Sequence, residues 1–144
     1  MQQIITTGYK DTQELGSFFA KKLKGGEVLA LYGDLGSGKT TFMQGLAKGL
    51  GITKNIISPT FIIMRTYEIG IKDKERIKNL YHLDLYRIEN EEQAVDLGLK
   101  ELMGDVENIV AIEWPDKIEN LLPEKRITIH FEYLEDDKRQ IRIG

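Results

Sequence analysis

The chain has 144 residues, of which 41% are hydrophobic and 30% charged, as in an ordinary globular protein. It contains no cysteine, which excludes disulfides and thiolate metal sites, and its two histidines, His82 and His130, are too far apart to suggest a zinc cluster. A formal net charge of −3 argues against a protein that binds RNA alone, because phosphate contacts need a basic surface. Because there is neither a basic, apolar leader nor an apolar run of membrane-spanning length, we expect a cytoplasmic protein without membrane contact.

The first part of the chain predicts a strand, a helix and a second strand. Residues 2–7 (QQIITT) form a short β-prone run. Asp11 begins a helical stretch, with Glu14 three residues later in the manner of a capping box. Residues 28–32 (VLALY) are a continuous apolar run, as expected of a strand buried on both faces of a parallel sheet. The apolar stripe of the helix comprises Leu15, Phe18, Phe19 and Leu23.

A glycine-rich loop follows directly after this strand. The stretch LYGDLGSGKTTF, residues 31–42, has the spacing G-x-x-x-x-G-K-[ST] of a phosphate-binding loop. Its glycines let backbone N–H groups converge on phosphate oxygens, and the helix that follows adds its positive end. Lys39 would reach the β- and γ-phosphates, and the Thr40 hydroxyl would bind Mg²⁺. The helix stripe consists of Phe42, Leu46, Ala47 and Leu50, with Gly51 as a stop signal.

The second half alternates further strands and helices. Residues 61–69 and 79–86 are two strand-like runs close enough to form an antiparallel hairpin. Residues 89–103 predict a helix, with a break at Gly98. The remaining elements are a buried strand over 108–114, a short helix or turn in PDKIENLLP, an alternating strand in RITIHFEYL and a returning strand in RQIRI.

Two acids are candidates for the carboxylate that a nucleotide hydrolase needs near Mg²⁺. Glu113 ends the strongest apolar strand, and Asp84 lies inside YHLDLYR, after a weaker run. Thr60, in SPTF just before a strand, is placed where a loop can sense the γ-phosphate. Arg65 and Arg87 could neutralise transition-state charge, although a surface role is the default for an arginine. No N-K-x-D run is present to read guanine, so ATP is favoured over GTP.

Four stretches occur together and in order: GDLGSGKTT, SPTF, YHLDLYR and EWPD. In this the chain resembles the bacterial TsaE (YjeE) family, the ATPase of tRNA threonylcarbamoyladenosine synthesis. The likeness extends from the first helix to the final strands, and the His-x-Asp-x-Tyr-Arg stretch and the Glu-Trp pair are its specific parts. Ser37 is a departure, because the family often has alanine there; a loop position that donates through its backbone should tolerate the change.

The resemblance implies a P-loop NTPase-like α/β fold of three layers, with a mostly parallel central sheet plus antiparallel strands, as one ATPase domain over residues 1–144. In this reading Thr60 belongs to a switch-like loop, Asp84 acts in catalysis and Glu113 is the carboxylate linked to Mg²⁺. Asp84 would position or activate water, or hold a water on the metal, and the pattern leaves these roles open. The nucleotide-binding residues would be Tyr9 at the adenine, Gly36, Ser37, Gly38, Lys39, Thr40 and Thr41 at the phosphates, and Trp114 beside the nucleotide.

The resemblance also implies partners. Proteins of this family work with TsaD and TsaB, which transfer the threonylcarbamoyl group to tRNA, and the small ATPase uses ATP binding and hydrolysis to drive or reset that assembly. In this view tRNA is met through the complex rather than by this chain alone. Two alternatives stay open. One is a small-molecule kinase, although the only candidate for a basic lid is the stretch over 72–78. The other is a nucleotide-gated binding module that does not need hydrolysis.

Overall fold

A computed structural model describes residues 2–56, 63–70 and 76–144. The described residues form a seven-stranded sheet in the order β1-β7-β6-β2-β5-β4-β3, which confirms the predicted α/β fold. The strands are β1 (Gln2–Thr6), β2 (Val28–Tyr32), β3 (Met64–Glu68), β4 (Asn79–Asp84), β5 (Asn108–Glu113), β6 (Ile127–Tyr133) and β7 (Arg139–Ile143). The helices are α1 (Tyr9–Ala20), α2 (Lys39–Gly49), α3 (Glu91–Asp96), α4 (Leu99–Met103) and a 3₁₀ segment, Pro115–Leu121.

The centre of the sheet is parallel and its margins are antiparallel. Strand β2 pairs in parallel with β5 on one side and with β6 on the other, and β4 pairs in parallel with β5. The pairs β1–β7, β6–β7 and β3–β4 are antiparallel, and the last of these is the predicted hairpin. Parallel neighbours end at the same edge, so the segments that follow β2, β4 and β5 are brought together there.

Two apolar layers cover the sheet. Helices α1 and α2 pack on one face against side chains that include Leu29, Leu31, Ile109 and Ala111. Helices α3 and α4 and the 3₁₀ segment pack on the other face, against side chains that include Val28, Ala30, Val110 and Ile112. Alternate residues of β2 and β5 enter opposite layers. Strand β2 and residues 109–112 of β5 are therefore apolar on both faces, as their sequences predict. No helix among the described residues is long and apolar enough to cross a bilayer.

Helix α1 differs from its prediction in its start and in its buried face. It begins at Tyr9, and the Asp11 carboxylate accepts hydrogen bonds from the backbone N–H and the hydroxyl of Thr7, 2.9 and 3.3 Å away, from inside the first turn. Phe18, predicted on the apolar stripe, is 58% exposed, and Lys22 Nζ lies 5.1 Å from its ring centre. Small residues account for much of the buried face instead: Thr12, Gly16 and Ala20 are buried beside Phe19.

The small residues allow α1 and α2 to approach closely. A Cβ added at Gly45 of α2 would lie 1.9 Å from the Gln13 carbonyl oxygen of α1, and one added at Gly16 would lie 2.3 Å from the Phe42 carbonyl oxygen. Both clashes are with backbone, so the helices would have to separate. Apolar periodicity does not detect this contact, because glycine contributes no hydrophobic signal to a stripe.

Replacing Gly45 by alanine is therefore expected to destabilise the fold by roughly 1–3 kcal/mol, as overpacking does in a close-packed core. Gly104→Ala is the matched control, since Gly104 has φ −87° and a Cβ there meets nothing nearer than 3.5 Å. The control should be neutral or slightly stabilising. Urea denaturation of the two variants measures the difference, and equal midpoints would refute the close-contact explanation.

Candidate nucleotide-phosphate site

The loop between β2 and α2 has the backbone of a tight phosphate cradle. Gly33, Gly36 and Gly38 have φ of 149°, 78° and 110°, a region that side-chain-bearing residues rarely adopt. A Cβ at Gly33 would also lie 2.6 Å from the Ser37 hydroxyl oxygen and 2.7 Å from the Phe131 carbonyl oxygen, so sterics as well as φ require glycine there. At Gly36 the added Cβ would meet open space, as expected for a position that leaves the loop accessible.

Lys39 is the first residue of α2 and is only 4% exposed. Its Nζ donates a 2.5 Å hydrogen bond to the Gly33 carbonyl oxygen and lies 4.3 Å from the centre of the Trp114 ring. Burial lowers the pKa of the ammonium group, while the nearby carboxylates of Glu113 and Asp84 act in the opposite direction. A buried cation is thus held between the loop and the two candidate acids.

The two acids lie side by side at the end of the parallel sheet. Asp84 is the register partner of Glu113, and the side chains of both follow the buried residues Leu80 and Ile109 on the face that carries α2. Burial raises the pKa of the Asp84 carboxyl, the Glu113 charge adds to this, and the hydrogen bond from the Tyr86 backbone N–H opposes it.

One cavity joins the loop to these acids. It encloses about 290 Å³ and lies at the N-terminus of α2. Its lining includes most of the residues predicted for the phosphate site: Gly36, Gly38, Lys39, Thr40, Thr41, Asp84 and Glu113. Ser37 is buried beside it. Its backbone N–H donates to the Asp34 carbonyl oxygen 3.2 Å away, and its hydroxyl oxygen has no hydrogen-bond partner within the described ranges.

Trp114 and Tyr9, two of the predicted nucleotide-binding residues, do not line this cavity. Trp114 contacts Lys39 and packs at 5.1 Å between ring centres against Tyr86, which places it at the edge of the loop. Tyr9 is 64% exposed at the start of α1 and does not line the cavity, so its contact with adenine stays a prediction. Thr60 lies outside the described residues. Arg65 lies on β3 opposite His82, and Arg87 is exposed after β4.

The backbone at Trp114 is strained. Its φ of 58° and ψ of 49° lie in the left-handed region, which is unfavourable for a large aromatic residue. Such strain costs on the order of 1–3 kcal/mol and is concentrated at functional sites. The turn directs the chain from β5 into the 3₁₀ segment immediately after Glu113, and the Trp114 ring comes to lie against Lys39.

The site contains two further residues that the sequence-based predictions do not include. His82 is fully buried, and its Nε2 lies 2.6 Å from Glu113 Oε2. A strand places residues i and i+2 on one face, so the spacing of His82 from Asp84 indicates that both side chains lie on the same side of the sheet. Arg139 lines the same cavity, with its side chain 3.6–3.7 Å from the Cβ position of Gly38 and its guanidinium carbon 4.4 Å from the Tyr133 ring centre. Nothing local in the sequence indicates that β7 lies this close to the loop.

The arrangement fits a nucleotide with Mg²⁺. The described residues contain no group of three or more His, Cys, Asp or Glu side chains that could hold a metal. Magnesium at phosphate sites does not need one, because it is bound by one or two carboxylates together with phosphate oxygens and water. The Thr40 hydroxyl, the Glu113 carboxylate and the accessible glycine loop line one cavity and would be the protein's share of such a site.

Comparisons with known proteins identify the family of the chain and bear out its fold. The family model described as "Threonylcarbamoyl adenosine biosynthesis protein TsaE" matches residues 6–141. Proteins named tRNA threonylcarbamoyladenosine biosynthesis protein TsaE are similar in Bacillus subtilis (41% identity, 94% of this chain and 80% of the relative) and in Treponema pallidum (34% identity, 97% and 98%). The crystal structure of YdiB from Bacillus subtilis superposes with a TM-score of 0.74 at 33% identity, over 97% of this chain and 82% of that one. The chain therefore belongs to the TsaE family of threonylcarbamoyl adenosine biosynthesis proteins.

Proposed function

We propose that this chain is a single-domain, Mg²⁺-dependent ATPase of the tRNA threonylcarbamoyladenosine pathway, acting in the cytoplasm on a TsaD–TsaB complex. The observation that carries the proposal is the cavity in which the glycine loop, Lys39 and Thr40 meet Asp84 and Glu113. Membership of the TsaE family supplies the pathway. The −3 net charge fits a protein that meets tRNA through its partners.

In the proposed mechanism the loop amides and the N-terminus of α2 bind the phosphates of ATP. Lys39 would hold the β- and γ-phosphates, and Thr40 and Glu113 would hold Mg²⁺, whose charge would stabilise the phosphate oxygens when it is bound. Asp84 orients water for in-line attack on the γ-phosphate. Its raised pKa fits a carboxylate that can accept a proton, as a general base requires.

Catalysis of this kind depends on positioning and electrostatic stabilisation, so a site lacking one stabilising group hydrolyses ATP slowly. We therefore expect weak hydrolysis by the isolated chain and a sharp rise when a partner completes or orders the site. The test is Mg-ATP turnover by the purified chain, measured alone and with a cognate TsaD–TsaB pair.

Each outcome of that test separates the alternatives. Stimulation by the pair supports the partner-driven ATPase. A pair that changes nothing would contradict the proposed partners. High turnover without partners would favour a small-molecule kinase, and the next step would be a search for its phosphate acceptor. Stoichiometric ATP binding with no hydrolysis under either condition would favour the nucleotide-gated module.

A further inference from the structure

The Glu113 side chain is held by one buried neighbour. Its Oε2 lies 2.6 Å from His82 Nε2, with the His82 side chain fully buried and the Glu113 side chain 5% exposed. Among the described residues, His82 is the one hydrogen-bond partner of the Glu113 carboxylate. We infer that His82 is a positioning residue, which holds one carboxylate oxygen of Glu113 on the imidazole and leaves the other for Mg²⁺ at the phosphate cavity. The inference rests on the proposed function.

Strand register produces this contact. His82 pairs with Ala111 and Asp84 pairs with Glu113 across the parallel β4–β5 ladder, so His82 and Glu113 are diagonal neighbours on one face. The imidazole therefore lies behind Glu113, on the side away from the strand ends. Asp84, at the next position of β4 on the same face, lines the cavity with Glu113.

Packing alone does not account for a histidine here. Its Nδ1 is buried and has no hydrogen-bond partner among the described residues, a condition that native structures rarely tolerate without a reason. Leu80, two residues earlier on the same strand face, is fully buried and shows that an apolar side chain suits this layer. The hydrogen bond to Glu113 is the feature that an apolar residue at position 82 would lose. Residues that orient a metal ligand in this way commonly affect metal affinity or activity 10- to 100-fold.

The test compares His82→Leu, which removes the donor, with His82→Gln, whose amide N–H can reach Glu113. Affinity for ADP is measured with Mg²⁺ and with EDTA, through the fluorescence of Trp114, the single tryptophan of the chain. In His82→Leu the gain in affinity that Mg²⁺ provides should fall by about 10- to 100-fold. Affinity in EDTA should change by less than about threefold, because Lys39 and the loop are untouched. His82→Gln should recover most of the gain.

Leu80→Ala is the control, because Leu80 lies on the same strand and in the same layer but pairs with Ile109, four residues before Glu113. It should lower thermal stability yet keep the effect of Mg²⁺ on affinity. If His82→Leu does not fold, His82→Asn replaces it, since its shorter amide falls short of Glu113. Wild-type binding that is insensitive to Mg²⁺ would overturn the proposed function itself. Two other results would overturn only the positioning role. One is a folded His82→Leu or His82→Asn variant in which Mg²⁺ still raises ADP affinity as much as in the wild type. The other is a Leu80→Ala variant that also loses this effect of Mg²⁺.

Discussion

Replacing Lys39 by alanine is expected to weaken ATP binding by about 10- to 150-fold and to reduce hydrolysis at least as much. The change removes a charge-assisted contact with the phosphates, which contributes roughly 1.5–3 kcal/mol. The fold should survive, because burial lowers the pKa of Lys39. The folded protein therefore does not gain stability from the charge of this ammonium group. Isothermal titration with ATP and a phosphate-release assay measure the two effects.

Lys48→Ala is the matched control for Lys39→Ala. Lys48 is exposed in the last turn of the same helix, away from the loop, so its removal should leave ATP affinity within about twofold. Unchanged ATP turnover in Lys39→Ala would refute the assignment of the phosphate site. Equal losses in the two variants would instead indicate a non-specific effect of positive charge on α2.

The sequence predicts the centre of the molecule well because burial on two faces leaves an unmistakable pattern. Strand β2 and residues 109–112 of β5 are continuous apolar runs, and the loop after β2 contains glycines that its positive φ angles require. Helix α2 carries a clear apolar stripe, and each of its four predicted members is buried. The predicted break at Gly98 is also confirmed, because glycine readily adopts the φ of 77° that separates α3 from α4.

What the sequence did not predict depends on neighbours far away along the chain. The buried face of α1 is decided by close approach to α2 at Gly16 and Gly45, which is a property of a helix pair. Arg139 reaches the loop because β6 and β7 follow β2 in the sheet order, and local patterns carry no information about that order. The left-handed backbone at Trp114 likewise depends on tertiary contacts, with Lys39 and Tyr86.

Replacing Asp84 by asparagine is expected to separate catalysis from stability. If Asp84 activates water, its loss should lower ATP turnover by about 100- to 10,000-fold. ATP affinity should change much less, because the loop and Lys39 remain. The ligand-free variant should nevertheless be more stable than the wild type at pH 7. Asparagine is neutral and can still accept the 3.0 Å hydrogen bond from the Tyr86 backbone N–H.

The pH dependence of that gain follows from the direction of the pKa shift. Burial raises the pKa of Asp84 in the folded chain, so the fold favours the protonated carboxyl and loses stability as pH rises from the unfolded toward the folded pKa. The advantage of Asp84→Asn should therefore be full above the folded pKa and absent below the ordinary carboxyl pKa of about 4. Thermal unfolding at pH 3 and pH 7 measures it, with the exposed Asp96→Asn as the control. A variant less stable than the wild type at pH 7 would mean that the Asp84 charge stabilises the fold. That result would contradict the proposal that Asp84 is a carboxylate destabilised by burial and able to accept a proton.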